Sequence, residues 1–342
     1  MLQLGIAAGT SGDTLFACVD RAVAVEEAGL DFISYGDSQG VLRDAYSVLT
    51  ACALRTRRIE LGPMVTNPVT RHPVVLANVL ATLDEASEGR AYLAIGAGAS
   101  SVANAALRRA KPSELAAALR TIRSCLGDAS AYEGEEAPTD IITIGWARRR
   151  PPLIVHASGP LGFGVAAEQG DGLLIRLGDV ALEALPALIE GVRARRRQSA
   201  DPLPVWAYAP ASVGSREENW GALSGIVSAR SVTLKPEQCP PDLLPALERY
   251  QAGYDYRFHA STADSRNADL LRELDLFDYM RTRFSLAGEV EEVAEQLARL
   301  ERAGVNRVLM QVGDAAPESG VIPTMGRMAT HYRSIARAAS DA

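Results

Sequence analysis

The sequence predicts an α/β fold, a (β/α)8 TIM barrel, and three observations carry that expectation. Short apolar runs alternate with amphipathic stretches along nearly the whole chain, giving eight strand–helix units. The strands are apolar on both faces, the pattern of a parallel sheet covered by helices. No break in the rhythm suggests the crevice of a doubly wound open sheet, which is the alternative. The 342 residues, 47% hydrophobic and 23% charged, suit one such barrel as a single domain.

The elements follow in order. LQLGIAA (2–8) reads as the first strand, and 14–29 as a helix closed by Gly29. DFISYG (31–36) is the second strand, followed by a helix near 43–55. RIELGPMV (58–65) is the third, with a helix over 73–88 ending at Gly89. RAYLAIGAG (90–98) is the fourth, followed by a helix at 112–126 and a less regular hairpin segment near 131–146. PLIVHA (152–157) and DGLLIRL (171–177) flank the helix Leu161–Gln169, and a long helix is expected over 179–197. PVWAYAP (204–210) is the seventh strand. A polar stretch at about 215–285 reads as a helical insertion or lid before the last strand, with Tyr250, Tyr254, Tyr256, Phe258 and His259 either lining a pocket or packing the insertion. Helix 289–303, strand NRVLMQV (306–312) and a terminal helix near 323–338 complete the chain.

Composition narrows the function classes. The net charge of −7 and pI near 5.3 argue against nucleic acid as a partner, since phosphate backbones are bound by basic faces. Cys18, Cys52, Cys125 and Cys239 show no CxxC spacing and read as thiols in a reducing compartment. The four histidines are far apart in sequence and no metal-binding spacing occurs. The N-terminus lacks a basic segment followed by a long apolar run, and no segment approaches the ~18 apolar residues of a membrane span. A cytoplasmic protein acting on a small molecule is expected.

In a barrel the chemistry gathers in the loops after the strands. GDSQG after the second strand offers Asp37 and Ser38, although Asp37 could equally cap the next helix. GPMVTNPVTRHP (62–73) after the third strand is too dense in polar and backbone-restricting residues for a plain turn. Its Arg71 and His72 either pair with an anion or cap and salt-bridge the helix entering at Pro73. GAGASS after the fourth strand supplies Gly96, Gly98 and Ser100 but lacks the third glycine of a dinucleotide fingerprint. HASGPLG after the fifth supplies His156, which is either a satisfied buried histidine or a catalytic one. There Ser158 can cap the helix, Gly159 lets backbone approach a ligand, and Pro160 suits the first helical position, so the loop reads as a phosphate cradle or simply a capped helix.

With these residues assembled, the chain resembles the luciferase-like monooxygenase superfamily, and within it the deazaflavin-dependent branch typified by methylenetetrahydromethanopterin reductase. The likeness is carried by RIELGPMVTNPVTRHPVVLANVLATLDEASEGRAYLAIGAG (58–98) and HASGPLGFGVAAEQGDGLLIR (156–176). It implies a bacterial-luciferase-like barrel with a flavin-type ring near the ends of strands two to four. It also implies a non-proline cis peptide at Met64–Val65 backing that ring, with the cofactor phosphate near Ser158, Gly159 and Pro160, and Gly98 and Ser100 lining the approach. Homodimerisation through helices near strands two and three is a further implication.

The resemblance implies an oxidoreductase that moves a hydride between coenzyme F420 and an organic acceptor with a C=C, C=N or C=O bond. Asp37, Ser38, Thr66 and Asn67 are the candidates for protonating or polarising that acceptor. An FMN-dependent monooxygenase and a non-catalytic flavin binder are the alternatives. Two positions depart from relatives: Ser38 stands where sugar-phosphate dehydrogenases carry histidine, and Ala99 where many carry an acid after the strand-four glycines.

Overall fold

The computed structural model describes residues 1–10, 13–132, 142–196, 202–258, 266–313 and 319–340. Among these residues nine strands are formed: β1 (Gln3–Ala8), β2 (Phe32–Tyr35), β3 (Glu60–Pro63), β4 (Leu93–Ile95), β5 (Leu153–His156), β6 (Gly172–Arg176), β7 (Val205–Val213), β8 (Leu286–Gly288) and β9 (Arg307–Gln311). Eight of them run in the order β3-β2-β1-β9-β7-β6-β5-β4, every pairing parallel. Closure between β3 and β4 comes from Leu61 N–H to Arg90 O, Tyr92 N–H to Leu61 O, Thr66 N–H to Ala94 O and Gly96 N–H to Thr66 O, each at 3.0 Å. Residues 62–65 lie between these two pairs of bonds, and the Met64–Val65 peptide is cis, as the resemblance implies. The expected (β/α)8 barrel is therefore the fold.

Helices α1 (Leu15–Glu27), α2 (Ala45–Ala53), α3 (Pro73–Ala86), α4 (Ser100–Asn104), α5 (Pro112–Cys125), α6 (Pro160–Gln169) and α7 (Leu185–Ala194) connect the first seven strands. Between β7 and β8 the insertion forms α8 (Arg216–Ser231), α9 (Leu244–Gly253), α10 (Arg266–Glu273) and α11 (Phe277–Phe284). Helices α12 (Val290–Arg302) and α13 (Val321–Ser340) follow β8 and β9. The insertion has its own apolar cluster, including Leu223, Val227, Leu247, Tyr250, Leu271 and Met280, so Tyr250 and Tyr254 pack it internally. His259 and most of the hairpin expected at 131–146 lie outside the described residues.

Three differences from expectation have local causes. The long helix foreseen over 179–197 is a 3-10 turn at Leu182–Ala184 followed by α7, which takes Pro186 in its first turn, where a missing N–H costs nothing. Strand β7 runs on to Val213 because β8, which the sequence did not announce, pairs with Ala211–Val213. The short helix α4 was likewise hidden in a run of small residues. No helix among the described residues is long and apolar enough to cross a membrane.

The barrel interior is filled by a plug of rings. Phe32, Tyr92 and Trp206 meet with centroids 5.0 to 6.4 Å apart, and the Arg307 guanidinium lies 4.7 Å over Trp206 while pairing with Glu60 at 2.6 Å. The strands make room for these rings with glycine. A Cβ on Gly62 would sit 2.5 Å from both the Tyr92 ring and its carbonyl oxygen. Gly62→Ala should therefore destabilise the protein by about 1–3 kcal/mol, the usual cost of overpacking a core. Urea unfolding checks this, and an unchanged midpoint would show that the plug tolerates the methyl.

Candidate functional site

The C-terminal ends of the strands form the mouth of the barrel, and a buried carboxylate organises one side of it. Asp37, just beyond β2, has a side chain only 1% exposed. Its Oδ1 accepts from Gln39 Nε2 at 2.7 Å and Arg71 Nη2 at 3.2 Å; its Oδ2 accepts from the Thr66 hydroxyl at 2.7 Å and Arg71 Nε at 3.2 Å. Arg71 also reaches Asp44, which caps α2 through Ser47 N–H at 2.8 Å, and its guanidinium lies 4.9 Å over the Tyr46 ring. Burial pulls the Arg71 pKa down, but the bonds to Asp37 and Asp44 outweigh it and hold the group above its ordinary value.

The neighbouring residues are scaffolding of the same kind. Asn67 is fully buried; its Oδ1 accepts from Val69 N–H at 3.0 Å and Thr70 N–H at 2.9 Å, and its Nδ2 donates to Thr70 Oγ1 at 2.9 Å and Ser101 Oγ at 3.0 Å. All four of its hydrogen-bonding sites are thus taken within the protein. His72 caps α3, accepting from Val74 N–H at 3.3 Å. Ser38 and Ser100 face each other at 3.1 Å on the exposed rim, linking the loop after β2 to α4.

Beside this network opens a cleft of about 480 Å³. Val65, Gly96, Gly98, His156, Ser158 and Gly159 line it, so the structure brings together predicted residues from three separate loops. Here one expectation is corrected: the residue that caps α6 is Gly159, not Ser158. No side chain caps this helix, because the chain enters it one residue later than the serine, with Pro160 in the first turn. Its first-turn N–H groups are left for a ligand or water. A Cβ on Gly159 would meet nothing within 4 Å, so the backbone there faces open space.

The cleft also holds charged groups that the loop-by-loop reading did not single out. Arg109, Arg176 and Asp179 line it; Arg176 pairs with Asp179 at 2.8 Å, and Arg230 from α8 stands 3.5 Å from the same carboxylate. Asp179 thus faces two arginines, and with Arg109 on the lining the surplus of charge at the cleft is positive. Burial depresses the Arg230 pKa to about 10, still far above neutrality, and it depresses that of His156, which is therefore held in its neutral form. Outside the cleft's lining, on the inner face of the barrel, the Tyr208 hydroxyl donates to Gln311 Oε1, and burial pushes the phenol up to about 12. The available signal was position: Arg176, Tyr208 and Gln311 all sit at or near strand ends.

Among the described residues no group of acids, histidines and cysteines could hold a metal ion. What the arrangement can do is bind an anion at the α6 N-terminus and hold a flat group against Gly96 and the Met64–Val65 backbone. Asp37→Asn should lower stability on the order of 3 kcal/mol, because it strips a buried carboxylate charge from Arg71. A urea midpoint shift equivalent to less than about 1 kcal/mol would mean that Asp44 alone holds Arg71.

Comparison with known proteins places this geometry in a lineage. Residues 2–307 match the luciferase-like monooxygenase family. The chain is 31% identical over 293 residues to a 5,10-methylenetetrahydromethanopterin reductase of Archaeoglobus fulgidus, covering 83% of this chain and 86% of the relative. It is 30% identical over 239 residues to an F420-dependent glucose-6-phosphate dehydrogenase of Nakamurella multipartita, covering 64% and 69%. Among solved structures, the coenzyme F420-dependent tetrahydromethanopterin reductase of Methanopyrus kandleri superposes with a TM-score of 0.69 at 25% identity, covering 97% of this chain and 99% of that one. The chain belongs to the luciferase-like monooxygenase family.

Proposed function

We propose that this chain is an oxidoreductase that moves a hydride between coenzyme F420 and a small organic acceptor. The observation that carries the reading is the cleft: an uncapped helix N-terminus with open backbone at Gly159, and Arg109 and Arg176 on the same walls. These groups fit a flat cofactor with an anionic tail. The relatives named as F420-dependent reductases and dehydrogenases support the same cofactor.

F420, when bound, supplies or receives the hydride at its ring carbon. The rest falls to the protein. The α6 N–H groups, with Arg109 and Arg176, would hold the phosphate and the negative charge of the tail. Gly96, Val65 and His156 would line the ring's seat, the neutral imidazole adding a polar contact without a competing charge. Asp37, Arg71 and Thr66 keep the 64–72 segment in place rather than exchanging protons, since each carboxylate oxygen already accepts two bonds. The acceptor would approach from the open mouth, opposite the Met64–Val65 backing.

Gly159→Val tests this reading where the cradle is most exposed. The new side chain enters open space, so folding should be unaffected while F420 affinity, read by fluorescence titration, falls about tenfold or more. Wild-type affinity in the variant would move the anion away from α6.

A further inference from the structure

We infer that Gln311, oriented by Tyr208, is the group that polarises the acceptor, and that the acceptor is a carbonyl compound, a ketone, aldehyde or enone, with its oxygen bound at the Gln311 amide nitrogen. The inference rests on the hydride-transfer reading above and adds to it a catalytic residue, a positioning residue and a substrate class.

The groups that the sequence offers for protonating or polarising an acceptor are already engaged. Both Asp37 oxygens are taken and Thr66 donates its hydroxyl proton to that carboxylate. The Asn67 amide is saturated. Ser38 and Ser100 bond to one another on the rim. His156 is neutral and lies in the cleft assigned to the cofactor.

Gln311 and Tyr208 differ from all of these. Side chains on a strand alternate between faces, so residues two apart point the same way. Trp206 and Leu309 are in the inner apolar cluster; Tyr208 and Gln311, two residues further along β7 and β9, therefore point to the barrel axis one layer nearer the mouth. Tyr208 packs on that same cluster, as do Met64 and Val65, and in the strand order β7 and β9 lie opposite the β3–β4 closure, which sets the pair across the mouth from the proposed ring backing. Because the Tyr208 hydroxyl donates to Gln311 Oε1, the amide is turned so that its nitrogen faces away from Tyr208. Among the described residues that nitrogen has no hydrogen-bond acceptor. The phenol stays protonated far above neutral pH, so the orientation holds throughout the physiological range.

An N–H donor selects its substrate. It stabilises a lone pair that gains negative charge, as a carbonyl oxygen does during hydride addition, and gives nothing to an iminium nitrogen, which has no lone pair. In the step, the hydride brings both electrons to the carbonyl carbon, or to the β-carbon of an enone, and forms the new C–H bond. The π pair moves to oxygen, where the Gln311 N–H stabilises it, and water at the open mouth delivers the proton. Tyr208 touches no reacting atom and acts by fixing the amide.

The test compares wild type with Gln311→Met, which keeps the volume but loses the N–H, and with Tyr208→Phe, which keeps the ring. F420 binding is measured first by fluorescence titration; failure of the wild type to bind would overturn the functional reading itself. Given binding, reduced F420 is oxidised anaerobically with acetone and with cyclohex-2-enone as probes. The expected result is equal F420 affinity in all three proteins, a loss of about 100-fold in kcat/KM for the probe in Gln311→Met, and a smaller loss, chiefly in kcat, in Tyr208→Phe. Equal rates in the three proteins would overturn the inference. So would a wild type that binds F420 but reduces neither carbonyl probe, or a Gln311→Met effect confined to F420 affinity.

Discussion

A single buried carboxylate ties the mouth of this barrel together. Asp37 takes hydrogen bonds from the loop after β2, from Thr66 beyond β3 and from Arg71 at the entrance to α3. A charge so fully removed from water is tolerable only when paired and hydrogen-bonded on every side, and that condition is met here. The consequence is a stiff segment from Met64 to His72. Everything proposed for the ring depends on that stiffness, because the Met64–Val65 backbone has to stay fixed while a ligand presses on it.

The rest of the mouth divides by chemistry. Beside β3 and β4 lie small and apolar groups, Val65, Gly96 and Gly98, which leave room for a flat body. From β5 round to β9 come His156, Arg176, Tyr208 and Gln311, the groups able to bind charge or donate hydrogen bonds. Beneath both halves the Phe32–Tyr92–Trp206 plug fills the barrel interior. The strands thus supply a seat, a polar wall and a floor, and the insertion adds Arg230 behind the polar wall.

Much of this was readable in the chain. Strand periodicity and apolar content gave eight barrel strands, since each strand is buried on both faces and so leaves a strong signal. The strand pairing with Ala211–Val213 was not readable, because three residues, Leu286–Gly288, carry no periodicity. Among site residues, proline and glycine punctuation led to the loops, and Val65, Gly96, His156 and Gly159 do line one cleft. Side-chain commitment was not readable. Asn67 looked available for chemistry, yet its partners Thr70 and Ser101 are set by tertiary geometry. Arg176 and Gln311 lie at strand ends, a position many residues share; their importance comes from facing the axis beside Asp179 and Tyr208, which sequence spacing alone cannot establish.

If the cleft is built for a deazaflavin with an anionic tail, a side-by-side titration with F420 and FMN in both redox states will show it. F420 should bind tightly, its affinity falling with rising salt as the charges of Arg109 and Arg176 are screened, and FMN should bind distinctly more weakly. Equal and weak binding of the two, or a preference for FMN with oxygen consumed by its reduced form, would contradict it.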